Sequence, residues 1–137
     1  MVRLSYTALA LAAALVCAAC GDDSTSNIPT APTPVAVTET FDGTLNPNGG
    51  ITHPFAVQQT GSVTATLSAI APEGTIIGLS LGTWNGQTCQ IILANDNAAQ
   101  GNSVVGTATS TGSFCARVYD VGKLTRLADY QISVTHY

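Results

Sequence analysis

The sequence predicts an all-β protein, an antiparallel β-sandwich of about eight short strands, and three observations carry that reading. Apolar residues recur at every second position: Val63, Ala65, Leu67 and Ala69 alternate with Ser62, Thr64, Thr66 and Ser68. Tyr130, Ile132 and Val134 alternate in the same way with Gln131, Ser133 and Thr135. Period two with hydroxyl residues between is the signature of a strand with one face on a core. Turn-forming clusters punctuate these runs, and no segment beyond residue 36 sustains a helical period.

Taken in order, the predicted strands cover 37–45, 51–58, 62–70, 75–84, 87–94, 102–109, 112–119 and 130–137. The breaks between them read NPNGG, QTG, APEG, NG, NDNAAQGN, STG and DVGKLTRLAD, rich in the residues that set turn geometry. Asn85-Gly86 predicts a two-residue hairpin. Short antiparallel strands at this spacing stack as two sheets around a shared interior.

What precedes residue 37 is a different kind of sequence. Met1-Val2-Arg3 is followed by an apolar run from Leu4 to Val16, then by Cys17, Ala18, Ala19 and Cys20. At about 13 residues the run is shorter than the roughly 20 needed to span a bilayer. Charge, apolar core and small-residue exit make residues 1–19 a predicted signal peptide. Cys17 and Cys20 have the C-x-x-C spacing of redox and zinc half-sites. No βαβ context and no second pair of metal-spaced ligands accompanies them, however. Ala18-Ala19-Cys20 resembles a bacterial lipoprotein signal, which implies acylation of Cys20 and attachment to a membrane. The alternative is ordinary cleavage that leaves Cys20 unmodified. Residues 20–36, with Pro29, Pro32 and Pro34 among Ser, Thr and Asp, then read as a solvated tether.

The remaining chain, 37–137, is long enough for one domain with one core. Charge is sparse. Beyond the signal, Arg117, Lys123 and Arg126 stand against all eight acidic residues. Without clustered basic residues there is no surface for nucleic acid, and the mild acidity reads as solubility. Cys89 and Cys115, exported to an oxidising compartment, predict a disulfide. The loop it closes is about 25 residues, worth on the order of 3 kcal/mol in the chain-entropy model.

The stretches TFDGTL, HPFAV, GSVTATL and FCARVYDVG…YQISVTH together resemble the bacterial pre-peptidase C-terminal domain family. Phe41, Phe55, Gly61, Gly112, Phe114, Val118, Tyr119, Tyr130 and Val134 fall where that family's pattern places such residues. The resemblance covers 37–137. It implies a sandwich of jelly-roll type and accessory work beside secreted hydrolases, with polymers such as collagen or polysaccharide as partners. It implies no catalytic residues. Here the domain follows a lipid-anchor signal and no enzyme.

Three tempting sites yield to blander readings. Gly78-Leu79-Ser80-Leu81-Gly82 matches G-x-S-x-G, but a nucleophile elbow needs a strand-to-helix turn. Ser80 instead sits in an alternating strand with Ile77, Leu79 and Leu81 facing inward, and the only histidines are His53 and His136. Asp96, Asn95, Asn97 and Asn102 offer a single carboxylate, too little charge for a tight Ca²⁺ site, so no metal and no cofactor is expected. Trp84 beside a turn, with Tyr119, is the candidate ligand-binding pair, a stacking platform for sugar or peptide. The alternative for Trp84 is a lid over one end of the sandwich. Arg117 is expected to lie along the sheet. The predicted function is a non-catalytic, exported, lipid-anchored binding or accessory module for an extracellular polysaccharide or protein. Self-association through an edge strand and a secreted hydrolase are the alternatives.

Overall fold

Eight antiparallel strands hold about two thirds of the residues from 37 onward in the computed structural model, which describes residues 31–137. The predicted signal peptide, Cys20 and most of the tether lie outside the described residues. The strands are β1 (Val37–Leu45), β2 (Gly50–Val57), β3 (Gly61–Ala71), β4 (Ile77–Trp84), β5 (Cys89–Ala98), β6 (Ser103–Ala108), β7 (Gly112–Tyr119) and β8 (Ala128–His136). They form two four-stranded sheets, ordered β1-β8-β3-β6 and β2-β7-β4-β5, here called sheet 1 and sheet 2. Only β4 and β5 are consecutive neighbours within a sheet; every other connection crosses between sheets. This is the jelly-roll arrangement of a sandwich.

Period two is why the chain folds this way. Leu45, Val63, Ala65, Leu67, Tyr130, Ile132 and Val134 from sheet 1 meet Phe55, Val57, Leu79, Leu81, Ala116 and Val118 from sheet 2 in one buried core. Burying a side chain of this size stabilises by about 1.5–3 kcal/mol. The outer face of sheet 1 is a ladder of paired hydroxyls: Thr38 with Thr135 at 2.9 Å, Thr66 with Ser103 at 2.7 Å, Ser68 with Ser133 at 2.5 Å.

Three local expectations need correction. The alternation of β3 breaks after Leu67, where a bulge turns Ala69 outward and puts Ile70 into the core; the larger apolar side chain takes the buried position. The hairpin tip between β4 and β5 falls at Gly86-Gln87, one residue later than predicted. The Asn85 side-chain oxygen takes the N–H groups of Gln87 and Thr88 at 2.9 and 2.8 Å, and its own N–H donates to Thr88 O at 3.3 Å. An asparagine bonding the backbone ahead of it competes with the plain two-residue turn. Finally, β5 runs to Ala98 and absorbs half of the predicted Asn-rich turn.

The disulfide between Cys89 and Cys115 is formed. It joins β5 to β7 across the intervening β4. Strands two apart in a flat sheet lie roughly 10 Å from one another, yet these Cα atoms are 5.8 Å apart. The start of β5 therefore rides over β4. A bulge between Leu81 and Gly82 permits the crossing, and a Cβ at Gly82 would collide with the Gln90 carbonyl.

Candidate functional site

Loops joining β1 to β2, β3 to β4 and β7 to β8 meet at one end of the sandwich, while the β5–β6 loop bonds back to Leu67 midway along β3. Asp120 organises that end. One carboxylate oxygen accepts the N–H groups of Gly122 and Lys123 at 2.9 Å and of Leu124 at 3.1 Å; the other accepts the N–H of Asn48 at 2.7 Å. The Asp120 N–H donates in turn to Gly49 O at 2.9 Å. These bonds, the one from Asn48 foremost, hold the carboxyl below its ordinary pKa. The Lys123 ammonium donates to Asn97 Oδ1 at 2.8 Å, which ties the β7–β8 loop to β5.

Between the β3–β4 and β7–β8 loops lies a cleft of about 370 Å³, lined by Pro72–Ile76 and Lys123–Leu127. Its rim mixes charge and apolar surface. Glu73 faces Lys123 and Arg126 across it, and Leu127 is 56% exposed. Loops fixed on a rigid scaffold around a concavity are where binding residues concentrate.

The predicted pair, Trp84 and Tyr119, share the outer face of sheet 2 but do not meet. Tyr119 pairs with Gly78 and Trp84 with Cys89, which puts them roughly 20 Å apart along β4 at the strand rise. Tyr119 lies over Gly78, in the space a Cβ would need, and its hydroxyl donates to Asp96. Burial first, then that carboxylate, pushes its pKa up to about 12. Arg117 behaves as expected, its guanidinium lying against Gly50. Trp84 is half-buried at the end of β4, opposite the disulfide-bonded Cys89.

The remaining candidates have structural partners. Ser80 is buried, its hydroxyl donating to Arg117 O at 3.3 Å. Both histidines share the inward-facing parity of their strands, on the far side of sheet 2 from Ser80. His53 Nε2 shares a 2.8 Å hydrogen bond with the Tyr130 hydroxyl and stacks on Phe41 at 4.9 Å. Burial lowers the His53 pKa, against a smaller opposing effect of Asp42; burial and Asp42 together push Tyr130 up to about 12. His136 Nε2 donates to Glu39 at 2.9 Å and stacks on Phe55 at 5.2 Å. G-x-S-x-G is thus a packing pattern, small residues beneath Tyr119 and β5. Asn95 and Asn102 spend their side-chain oxygens on the N–H groups of Asn97 and Ala99, at 3.0 Å each.

Two features were missed in the sequence. One is the Asp120 cluster, although Asp120 two residues before Gly122 is a turn signal. The other is the bare flank where β5 and β6 meet. Ile91, Ile92, Leu93 and Val105 are 47%, 66%, 39% and 61% exposed. Ile92, Leu93, Gly106 and Thr107 border an apolar hollow of about 50 Å³ there.

No protein-family model and no curated protein sequence matches the chain. Solved structures do share its fold. The mitogen derived from Yersinia pseudotuberculosis (YPM) matches with a TM-score of 0.56 at 15% identity, over 75% of this chain and 88% of its own. PliG of Aeromonas hydrophila, a periplasmic lysozyme inhibitor of g-type lysozyme, matches with a TM-score of 0.55 at 13% identity, over 72% and 85% respectively. The chain is similar to both in its sandwich fold.

Proposed function

We propose that this chain is an exported, non-catalytic binding module, held at a membrane by a lipid on Cys20, which engages a protein partner through its loop end. The observation that carries the reading is the Asp120 cluster. A carboxylate that collects four backbone N–H groups from two loops fixes the β7–β8 wall of the cleft before any partner arrives, so less ordering entropy is lost on binding. The names of the two fold neighbours, a mitogen and an inhibitor of lysozyme, describe no catalyst and agree with a protein that works by contact. The resemblance to the pre-peptidase C-terminal family supports accessory work of the same kind, with an extracellular polymer as the alternative ligand.

The test is binding of the purified chain to a defined panel: a g-type lysozyme, collagen and soluble peptidoglycan fragments. One member should bind, and Lys123→Glu with Arg126→Glu should weaken it by roughly tenfold or more. Asp120→Ala, which touches only the loops, should weaken it as well. A wild-type chain that binds none of the panel, or charge-reversed variants that bind equally, removes the loop-end reading. For the anchor, labelled fatty acid should enter the wild-type chain and not Cys20→Ala; equal labelling of both refutes it.

A further inference from the structure

Every sandwich with open sheets has four edge strands, and proteins blunt them to prevent unwanted pairing. Three of the four here are blunted. Pro54 interrupts β2, Glu39 and Asp42 put charge along β1, and β6 has only six residues, one of them Gly106. β5 has no such device apart from its bulges against β4. It is ten residues long, has no proline, and carries no charge from Cys89 through Asn95. Its bulge against β4 leaves Ile92 without a partner residue there, and Ile92 is the most exposed side chain of the strand's apolar run.

We infer that β5 is a self-association edge, pairing antiparallel with β5 of a second copy to join two sheets into one of eight strands. The strand is self-complementary. A two-fold axis through Ile92 sets Ile92 against itself, Ile91 against Leu93, Gln90 against Ala94, and Thr88 against Asp96. Apolar meets apolar, and no carboxylate meets a carboxylate. Charge also selects a second copy. Two chains of net charge −4 repel over most of their surfaces, and an uncharged strip is where they approach at least cost. The chain's own tether is a poor occupant, since Pro29, Pro32 and Pro34 lack the N–H groups a paired strand donates. The inference uses a different surface from the loop end and stands apart from it.

Sedimentation of the full chain in detergent should show a monomer–dimer equilibrium that strengthens as salt rises, because screening relieves like-charge repulsion. Ile92→Lys should weaken the dimer by roughly tenfold or more, with an unchanged far-ultraviolet spectrum. Ile92→Cys supplies a second reading: on the axis it should form a reducible homodimer, whereas Val35→Cys, at the most exposed apolar side chain of the described residues, should not. A monomer at all concentrations, a dimer indifferent to Ile92→Lys, or equal cross-linking at Val35 and Ile92 would each overturn the inference. So would cross-linking of Ile92→Cys to a different protein in place of its own copy.

Discussion

The two sheets share strand number and pairing geometry but finish their outer faces in opposite ways. Sheet 1 ends in water: Thr38, Thr66 and Ser68 meet Thr135, Ser103 and Ser133 across neighbouring strands, each hydroxyl at hydrogen-bond distance from another. Sheet 2 is covered. From Ile77 to Gly82 every residue of β4 is buried, on one side by the core and on the other by Tyr119 and the start of β5. Alternation therefore disappears from β4 even though it is a regular strand. A sheet roofed by its own side chains reads as small and apolar throughout, and that is how a packing pattern comes to imitate a nucleophile motif.

If the roof over sheet 2 carries structure and the ladder on sheet 1 is decoration, substitutions should separate them. Gly82→Val should be the most damaging, costing about 4 kcal/mol in denaturant unfolding, because its side chain meets a backbone carbonyl that cannot yield. Gly106→Ala in sheet 1 meets only the tip of Leu93, at 2.9 Å, and should be far milder. Equal costs would erase the contrast. Replacing Cys89 and Cys115 with alanine should cost about 3 kcal/mol. It should speed amide exchange in β5 while leaving β3 and β8 protected; uniform acceleration would mean that the bridge stabilises the whole fold and not the roof.

A smaller effect probes the interior between the sheets. The folded state holds His53 below its unfolded pKa of 6.5. The unfolded chain thus binds more protons in that window, and stability rises with pH there. The melting temperature should fall as pH drops through 6.5 and level off once pH is below the folded value. His53→Gln should flatten that slope, and an unchanged slope would assign it elsewhere. Smallest of all, Thr66→Ala on sheet 1 should cost about 0.5 kcal/mol; a loss near that of Gly82→Val would show the ladder to be structural.

Legibility followed the same division. β8 and the first half of β3 were readable because one face is wet and the other dry. The inward histidines went unread, although His136 keeps the parity of Ile132 and Val134, because their partners Tyr130 and Glu39 lie on other strands. The bulge after Leu67 was not readable either, because nothing local distinguishes turning Ala69 out from turning it in. The crossing of β5 over Gly82 depends on where β7 lies, a long-range fact that spacing alone does not encode. Trp84 and Tyr119 could be named together from the sequence, but their separation along β4 required the register. The loop end stayed hidden for a related reason. Asp120 gathers N–H groups from Asn48 as well as from its own loop, and a contact 72 residues distant has no period.

Each tyrosine among the described residues lies over a glycine: Tyr119 over Gly78, Tyr130 over Gly43, Tyr137 over Gly61. Gly78 and Gly43 are the direct cross-strand partners of their tyrosines. Were β7 to slide two positions along β4, the ring would land on the side chain of Ser80; were β8 to slide along β1, Tyr130 would meet Phe41 or Leu45. A missing methyl group thus works as a keyhole that only one alignment of the strands can enter. Swapping ring and glycine between the two strands should preserve that alignment, while altering either alone should leave the sheets free to misthread.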